Sequence, residues 1–175
     1  MSILRWLGLA DAGDDHAPVD SLREIEKALT NMEPAQARYL AGFAYILGRV
    51  AKADHQVTDE ESAAMQRLVA ERGSLPDDQA ALVVRIAAAE ALRHGGTEDF
   101  IVTREFEKAA SREQKLALID CLFAVSSSDD SIRTIEDNEI RRIASELKLD
   151  HSDFIRVRWA HINNLEVLRD RKPNG

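Results

Sequence analysis

The stretch Ala53-Asp54-His55-Gln56-Val57-Thr58-Asp59-Glu60-Glu61 has a counterpart 75 residues later, Ser128-Asp129-Asp130-Ser131-Ile132-Arg133-Thr134-Ile135-Glu136. In each, an Asp is followed three residues on by a branched aliphatic, Val57 or Ile132, and seven residues on by a Glu. The agreement extends outward. Met65 and Leu68 fall on Ile140 and Ile143, Val50 falls on Val125, and Glu71 falls on Glu146. Apolar residues four and seven positions beyond the Glu line one face of a helix. The Asp belongs to a turn, where its carboxylate accepts loop N–H groups. The Glu belongs to the first turn of the following helix, where the positive end of the dipole favours an anion. The aliphatic between them pins the turn into the groove between two helices. The chain is read as a duplicated helix–loop–helix unit.

The segments around these units also read as helices. Pro34 suits the first turn of the helix leading into the first loop, whose Leu40, Phe43, Ala44, Leu47 and Ala51 follow helical spacing. Small residues Ala41, Gly42, Ala44 and Gly48 allow another helix to approach it closely, so it is expected to be central. Capping pairs mark helix starts at Ser21 with Glu24, Thr58 with Glu61, Ser111 with Gln114 and Thr134 with Asp137. Pro76 opens a helix through Ala80, Val83, Val84 and Ala87 that ends at His94-Gly95-Gly96, and Phe100 to Ala110 forms a short one with Phe106 inward. Ser126-Ser127-Ser128 closes the helix carrying Leu116, Ile119, Leu122 and Phe123. The last helix starts near Asp150 or Ser152 and runs on Phe154, Val157, Trp159, Ile162 and Leu165. No segment alternates as a strand does. The expected fold is all-α, a compact bundle of about eight helices over residues 18–170. An amphipathic segment and linker, 1–17, precede it, and a short tail, 171–175, follows.

Composition agrees and excludes several functions. Hydrophobic residues make up 45% of the 175 but aromatics only 5%, so Ala, Leu, Ile and Val must build the core, and 8 Gly with 4 Pro are few for a turn-rich β fold. A net charge of −8 lacks the basic footprint that nucleic acid requires. Arg156, Arg158, Arg169, Arg171 and Lys172 read instead as the solvated end of the last helix. Cys121 is the single cysteine, which rules out an intramolecular disulfide and a cysteine-based zinc cage. In Leu118-Ile119-Asp120-Cys121-Leu122-Phe123 it reads as a core thiol of a protein in a reducing, cytoplasmic setting. No apolar run is long enough to span a bilayer. The first ten residues, followed by Asp11, Asp14 and Asp15, are too short for a secretory leader. Their Ile3, Trp6 and Leu7 form an amphipathic turn that either docks on the domain or makes peripheral membrane contact at the inner face. Histidines at 16, 55, 94, 151 and 161 form no helical pair, and no phosphate loop or nucleophile elbow is present. No enzymatic activity is expected.

The two quoted stretches resemble the duplicated Ala-Asp-Gly-x-aliphatic-x-x-x-Glu signature of the TerB tellurite-resistance family, which the N-terminal domain of the DjlA membrane co-chaperones shares. Ile140-Arg141-Arg142-Ile143-Ala144-Ser145-Glu146-Leu147-Lys148-Leu149 is similar to the helix that follows the second signature. The resemblance covers roughly residues 35–165. It implies the TerB-like helical fold and a stress-response role as a protein-interaction module, with an unidentified protein partner. It also implies a candidate divalent-cation site, Ca²⁺ or Mg²⁺, at Asp54, Glu61, Asp129 and Glu136, which converge if the units pack about a pseudo-twofold axis. Carboxylate oxygens suit such hard cations. This chain departs from the signature at His55 and Asp130, which stand where the family has Gly, so these loops need a residue tolerant of positive φ or a different turn. No His-Pro-Asp tripeptide is present, so no J domain is expected.

Overall fold

The computed structural model describes residues 19–50, 59–91, 98–128 and 131–165. They form eight α-helices: α1 Val19–Thr30, α2 Pro34–Val50, α3 Asp59–Gly73, α4 Asp77–Ala91, α5 Glu98–Ala109, α6 Arg112–Ser126, α7 Thr134–Glu146 and α8 His151–Ala160, followed by a 3₁₀ turn, Ile162–Asn164. Among the described residues the one extended pairing is a parallel bridge between Ile132 and Leu165. The fold is all-helical, as the periodicity predicts.

α2 is the axis of the bundle. Pro34 starts it with a φ already suited to helix, and Glu33 just ahead accepts the N–H groups of Ala35 and Gln36. From Tyr39 to Val50 every residue is buried, because α2 is packed by α4 and α5, with α1, α6 and α7 touching it too. Gly42 explains the closeness of α5: a Cβ there would lie 2.9 Å from Phe106 Cδ2. Phe43, Phe123, Leu40, Leu47, Leu118 and Leu122 are among the largest fully buried side chains, so the core joins α2 and α6.

The repeat is visible in three dimensions. α3 begins at Asp59 and α7 at Thr134, the 75-residue offset of the sequence repeat. In each unit the first helix packs on the third, α2 on α4 and α6 on α8. Across units the packing is reciprocal: α3 lies on α6, and α7 lies on α2. Both α3 and α7 end in the same way. Ser74 (φ 54°) and Lys148 (φ 55°) are left-handed, and the next N–H, of Leu75 or Leu149, returns to the carbonyl of Ala70 or Ala144. That is the Schellman closure, with a hydrophobic residue sealing the helix end.

Several sequence expectations shift. α1 begins at Val19, so Ser21 falls inside the helix rather than ahead of it, and the Glu24 carboxylate accepts from Arg85 of α4 at 2.7 Å. The boundary residue of α7 is Arg133, with Glu136 rather than Asp137 as the reciprocating acid. α8 stops at Ala160, and Trp159 is 67% exposed. Trp159 follows Val157 by only two residues, which rotates it about 200° away from the buried stripe. The Ser111–Gln114 box and the helix end at Ser126–Ser127 stand as expected. The amphipathic segment, the His94-Gly95-Gly96 helix end and the tail lie outside the described residues.

Candidate functional site

Glu61 and Glu136 are each the third residue of their helix, α3 or α7. Glu136 uses both carboxylate oxygens locally: the backbone N–H of Arg133 donates to Oε2 at 2.9 Å and Arg133 Nη2 donates to Oε1 at 3.0 Å. This is the acid's half of a capping box, satisfying a donor that the helix itself leaves open. Asp54 and Asp129 lie outside the described residues, as does the side chain of Glu61. Convergence of the four acids is thus not among the described contacts. Among the described residues no group of three or more His, Cys, Asp or Glu side chains is arranged to hold a metal ion.

The second loop is anchored by its aliphatic residue, as the repeat requires. Ile132 is buried, and its N–H donates to the Asn164 carbonyl at 2.6 Å. Leu165, fully buried beside it, closes the loop from the chain segment that follows α8. Val57 and His55 of the first loop lie outside the described residues, as does Asp130.

Other titratable groups are committed to contacts between helices. Arg49, buried in the last turn of α2, donates to Glu139 and Glu146 of α7 and to the Thr103 hydroxyl of α5. Asp137 holds Arg158 in a bidentate pair at 2.8 and 2.7 Å, joining α7 to α8. Asp153 holds Arg112 at 3.0 and 2.6 Å, joining α8 to α6. His161, at the C-terminal cap of α8, stacks on Phe123 and sets Nε2 2.7 Å from Asp120 Oδ1. That hydrogen bond, opposed by partial burial and aided by the charges of His161 and Arg72, holds the Asp120 carboxyl below its ordinary range. Cys121 is the core thiol that its neighbours predict: burial, with the charge of Asp120 adding, pushes it up to about 12. A thiol so placed is a poor nucleophile at neutral pH.

Sequence reading missed Arg49, Asp153 and the Asp120–His161 contact. A charged residue in the apolar run Leu47-Gly48-Arg49-Val50 was the available signal for the first. The Asp120–His161 pair spans 41 residues with no motif between its members.

With this geometry in place, the comparisons decide the family. Residues 40–159, more than half of the chain, match the family described as tellurite resistance protein TerB. The chain belongs to the TerB family. No curated protein and no solved structure matches it. The matched span of this TerB domain opens within α2 and closes within α8, so it contains both acidic loops and both reciprocal helix contacts. Among the described residues no helix is long and apolar enough to cross a membrane.

Proposed function

We propose that this TerB domain is a non-enzymatic interaction module of a stress-response or tellurite-resistance system, recruiting a protein partner, with peripheral membrane contact through Ile3, Trp6 and Leu7. The observation that carries the reading is the set of large apolar side chains left outside: Phe100, Ile101, Ile135, Ile155 and Trp159 are all exposed. Exposed aromatic and branched residues on a closed helical scaffold are the raw material of a contact surface. The buried His161, Asp137 and Asp153, with the partly buried Asp120, support the same reading, because they are engaged in holding helices together. The test is affinity capture of the intact chain from a cell that contains its natural partners, with binding then reconstituted from purified components. A defined partner, bound with a reproducible affinity and weakened by Phe100→Ser with Ile101→Ser, by Trp159→Ser or by Trp6→Ser, is the expected result. Failure to bind any purified candidate at micromolar concentration overturns the reading.

A second reading, a divalent cation held by Asp54, Glu61, Asp129 and Glu136, is favoured by the matched starts of α3 and α7 behind the two acidic loops. Glu136 would first have to give up its bonds to Arg133. Calorimetric titration with Ca²⁺ and with Mg²⁺ tests it: heat that disappears in Asp54→Asn with Asp129→Asn supports the site, and no heat with no thermal shift removes it.

A further inference from the structure

Where α8 meets α6 and α7, two buried carboxylates, Asp153 of α8 and Asp137 of α7, lie among four guanidinium groups. Asp153 takes Arg112 and, at 3.1 Å, Arg156; Asp137 takes Arg158 and, at 3.9 Å, Arg141. Arg141 also lies over the Phe154 ring, 5.9 Å from its centre. Each carboxylate is outnumbered by two cations, so this region carries a local positive excess on a chain whose net charge is −8. Arg112, Arg141 and Arg156 are each more than half exposed, so they present unused N–H donors to solvent. Next to them the outward face of α8 carries Ile155 and Trp159, one helical turn apart, flanked by His151, Ser152 and Arg156. Among the described residues, the one carboxylate of α8 itself is Asp153, on its buried side.

We propose that the outward face of α8 docks an acidic amphipathic helix of a partner protein, its apolar stripe on Ile155 and Trp159 and its carboxylates against Arg156, Arg112 and Arg141. The proposal rests on the interaction-module reading and names the chemistry of the partner. A stripe of residues at i and i+4 matches the ridges of another helix. Trp and Arg are both among the residue types enriched at the energetic centre of an interface. Arg is the residue best shaped to bind a carboxylate through two parallel bonds. A second copy of this chain is a poorer occupant, since a two-fold contact along α8 sets Arg156 against Arg156. An anionic bilayer is poorer too. Its plane faces a whole side of a chain with net charge −8, whereas a helix samples a strip about 10 Å wide, close to the screening length in physiological salt.

Trp6 and Trp159 are the two tryptophans of the chain, so Trp6→Phe leaves Trp159 as the sole emitter. The probe is a synthetic helix of about 18 residues, with Leu at i and i+4 and Glu on both flanks; a second peptide carries Lys in place of Glu. The acidic peptide is expected to saturate a blue shift of Trp159 emission. Calorimetry is expected to show its affinity falling by about tenfold or more in Arg156→Glu and in Ile155→Ser, each variant retaining the circular dichroism and melting transition of a folded domain. The Lys peptide is expected not to bind. No binding of the acidic peptide at millimolar concentration, equal binding of the two peptides, or indifference to both substitutions overturns the proposal. So does an equal emission shift with phosphatidylglycerol vesicles, or one produced by self-association on raising the protein concentration. A natural partner that binds the wild type and both variants alike would overturn this assignment of α8 while leaving the interaction-module reading intact.

Discussion

Arg49 Nη1 donates to Glu146 Oε2 at 2.8 Å, from the last turn of α2 to the last turn of α7, with the Arg49 side chain only 3% exposed. Burial works against the guanidinium's charge, but Glu146 and Glu139 more than offset it, and Arg49 is held protonated more firmly than a free arginine. A carboxylate at a helix C-terminus opposes the dipole; Glu146 is stabilised there by Arg49 and by Arg142 one turn back. The reciprocal contact between the units carries the opposite signs. Arg72, in the last turn of α3, approaches Asp120 of α6 at 3.4 Å. Unlike units therefore pair with attraction at both contacts.

Removing Arg49 is expected to cost more than removing the whole network. Arg49→Met leaves Glu139, Glu146 and the Thr103 hydroxyl without their shared cation, and breaking a buried pair from one side costs about 3–5 kcal/mol. Adding Glu139→Gln and Glu146→Gln to Arg49→Met is expected to recover part of that loss, because the two carboxylates that lost the buried cation are neutralised. Urea midpoints of the single and triple variants measure the difference; a triple variant less stable than the single one would show that the carboxylates do other work.

Acid sensitivity follows from Asp120. Its folded-state carboxyl is depressed by the His161 hydrogen bond, so the contribution is fully present above the unfolded Asp value of about 3.9 and is lost as pH falls through the lower folded value. The stability gap between wild type and Asp120→Asn is therefore expected to be largest above about pH 4 and to shrink below it. Denaturation series at several pH values check this. A gap that stays constant through the acid limb would place the role of Asp120 in shape rather than charge.

What was legible in the sequence was whatever repeats at short range. The matched residues around Asp54 and Asp129 gave the duplicated unit, and the apolar spacing of Leu40, Phe43 and Leu47 gave the central helix, because burial of one helix face writes itself every three or four residues. The Ser111–Gln114 cap was legible since both partners sit on one turn. Trp159 was misplaced because a strongly apolar residue near a stripe attracts assignment to it even when the spacing of two is wrong. The candidate site was legible only as residue types. Glu136 shows why: the same carboxylate that suits a cation also suits the N–H of Arg133, and sequence spacing does not separate the two. The ion pairs of Arg49, Asp137 and Asp153 join positions 90, 21 and 41 residues apart, beyond any local pattern.

Gly42→Ala is expected to destabilise the domain, although alanine is the better helix former. The added Cβ meets Phe106 Cδ2 at 2.9 Å and Phe106 Cβ at 3.3 Å, and Tyr39 stacks on the same ring at 5.5 Å, so the ring has little room to retreat. Overpacking of this kind costs about 1–3 kcal/mol. Phe106→Leu in the Gly42→Ala background should cost less than the two single changes summed, since the smaller side chain relieves the clash. A double-mutant cycle by chemical denaturation reads the coupling.

Ser74 and Lys148 occupy left-handed positions that an L side chain enters at a cost of about 1–2 kcal/mol and glycine enters freely. Both close a helix whose next N–H already returns to an alanine carbonyl, so glycine at either place preserves the hydrogen bonding and removes the strain. Ser74→Gly is the cleaner test, because Lys148 also pairs with Glu107 at 3.2 Å and loses that contact on substitution. About 1 kcal/mol of added stability corresponds to a melting temperature roughly 2–4 °C higher in a chain of this size. Ser74→Ala keeps the Cβ and the left-handed backbone and should bring no such gain. Lys148→Gly should gain less than Ser74→Gly, by no more than the few tenths of a kcal/mol typical of an exposed ion pair. If Ser74→Gly melted at or below the wild-type temperature, the serine side chain would be holding the turn between α3 and α4 by a contact worth more than the strain.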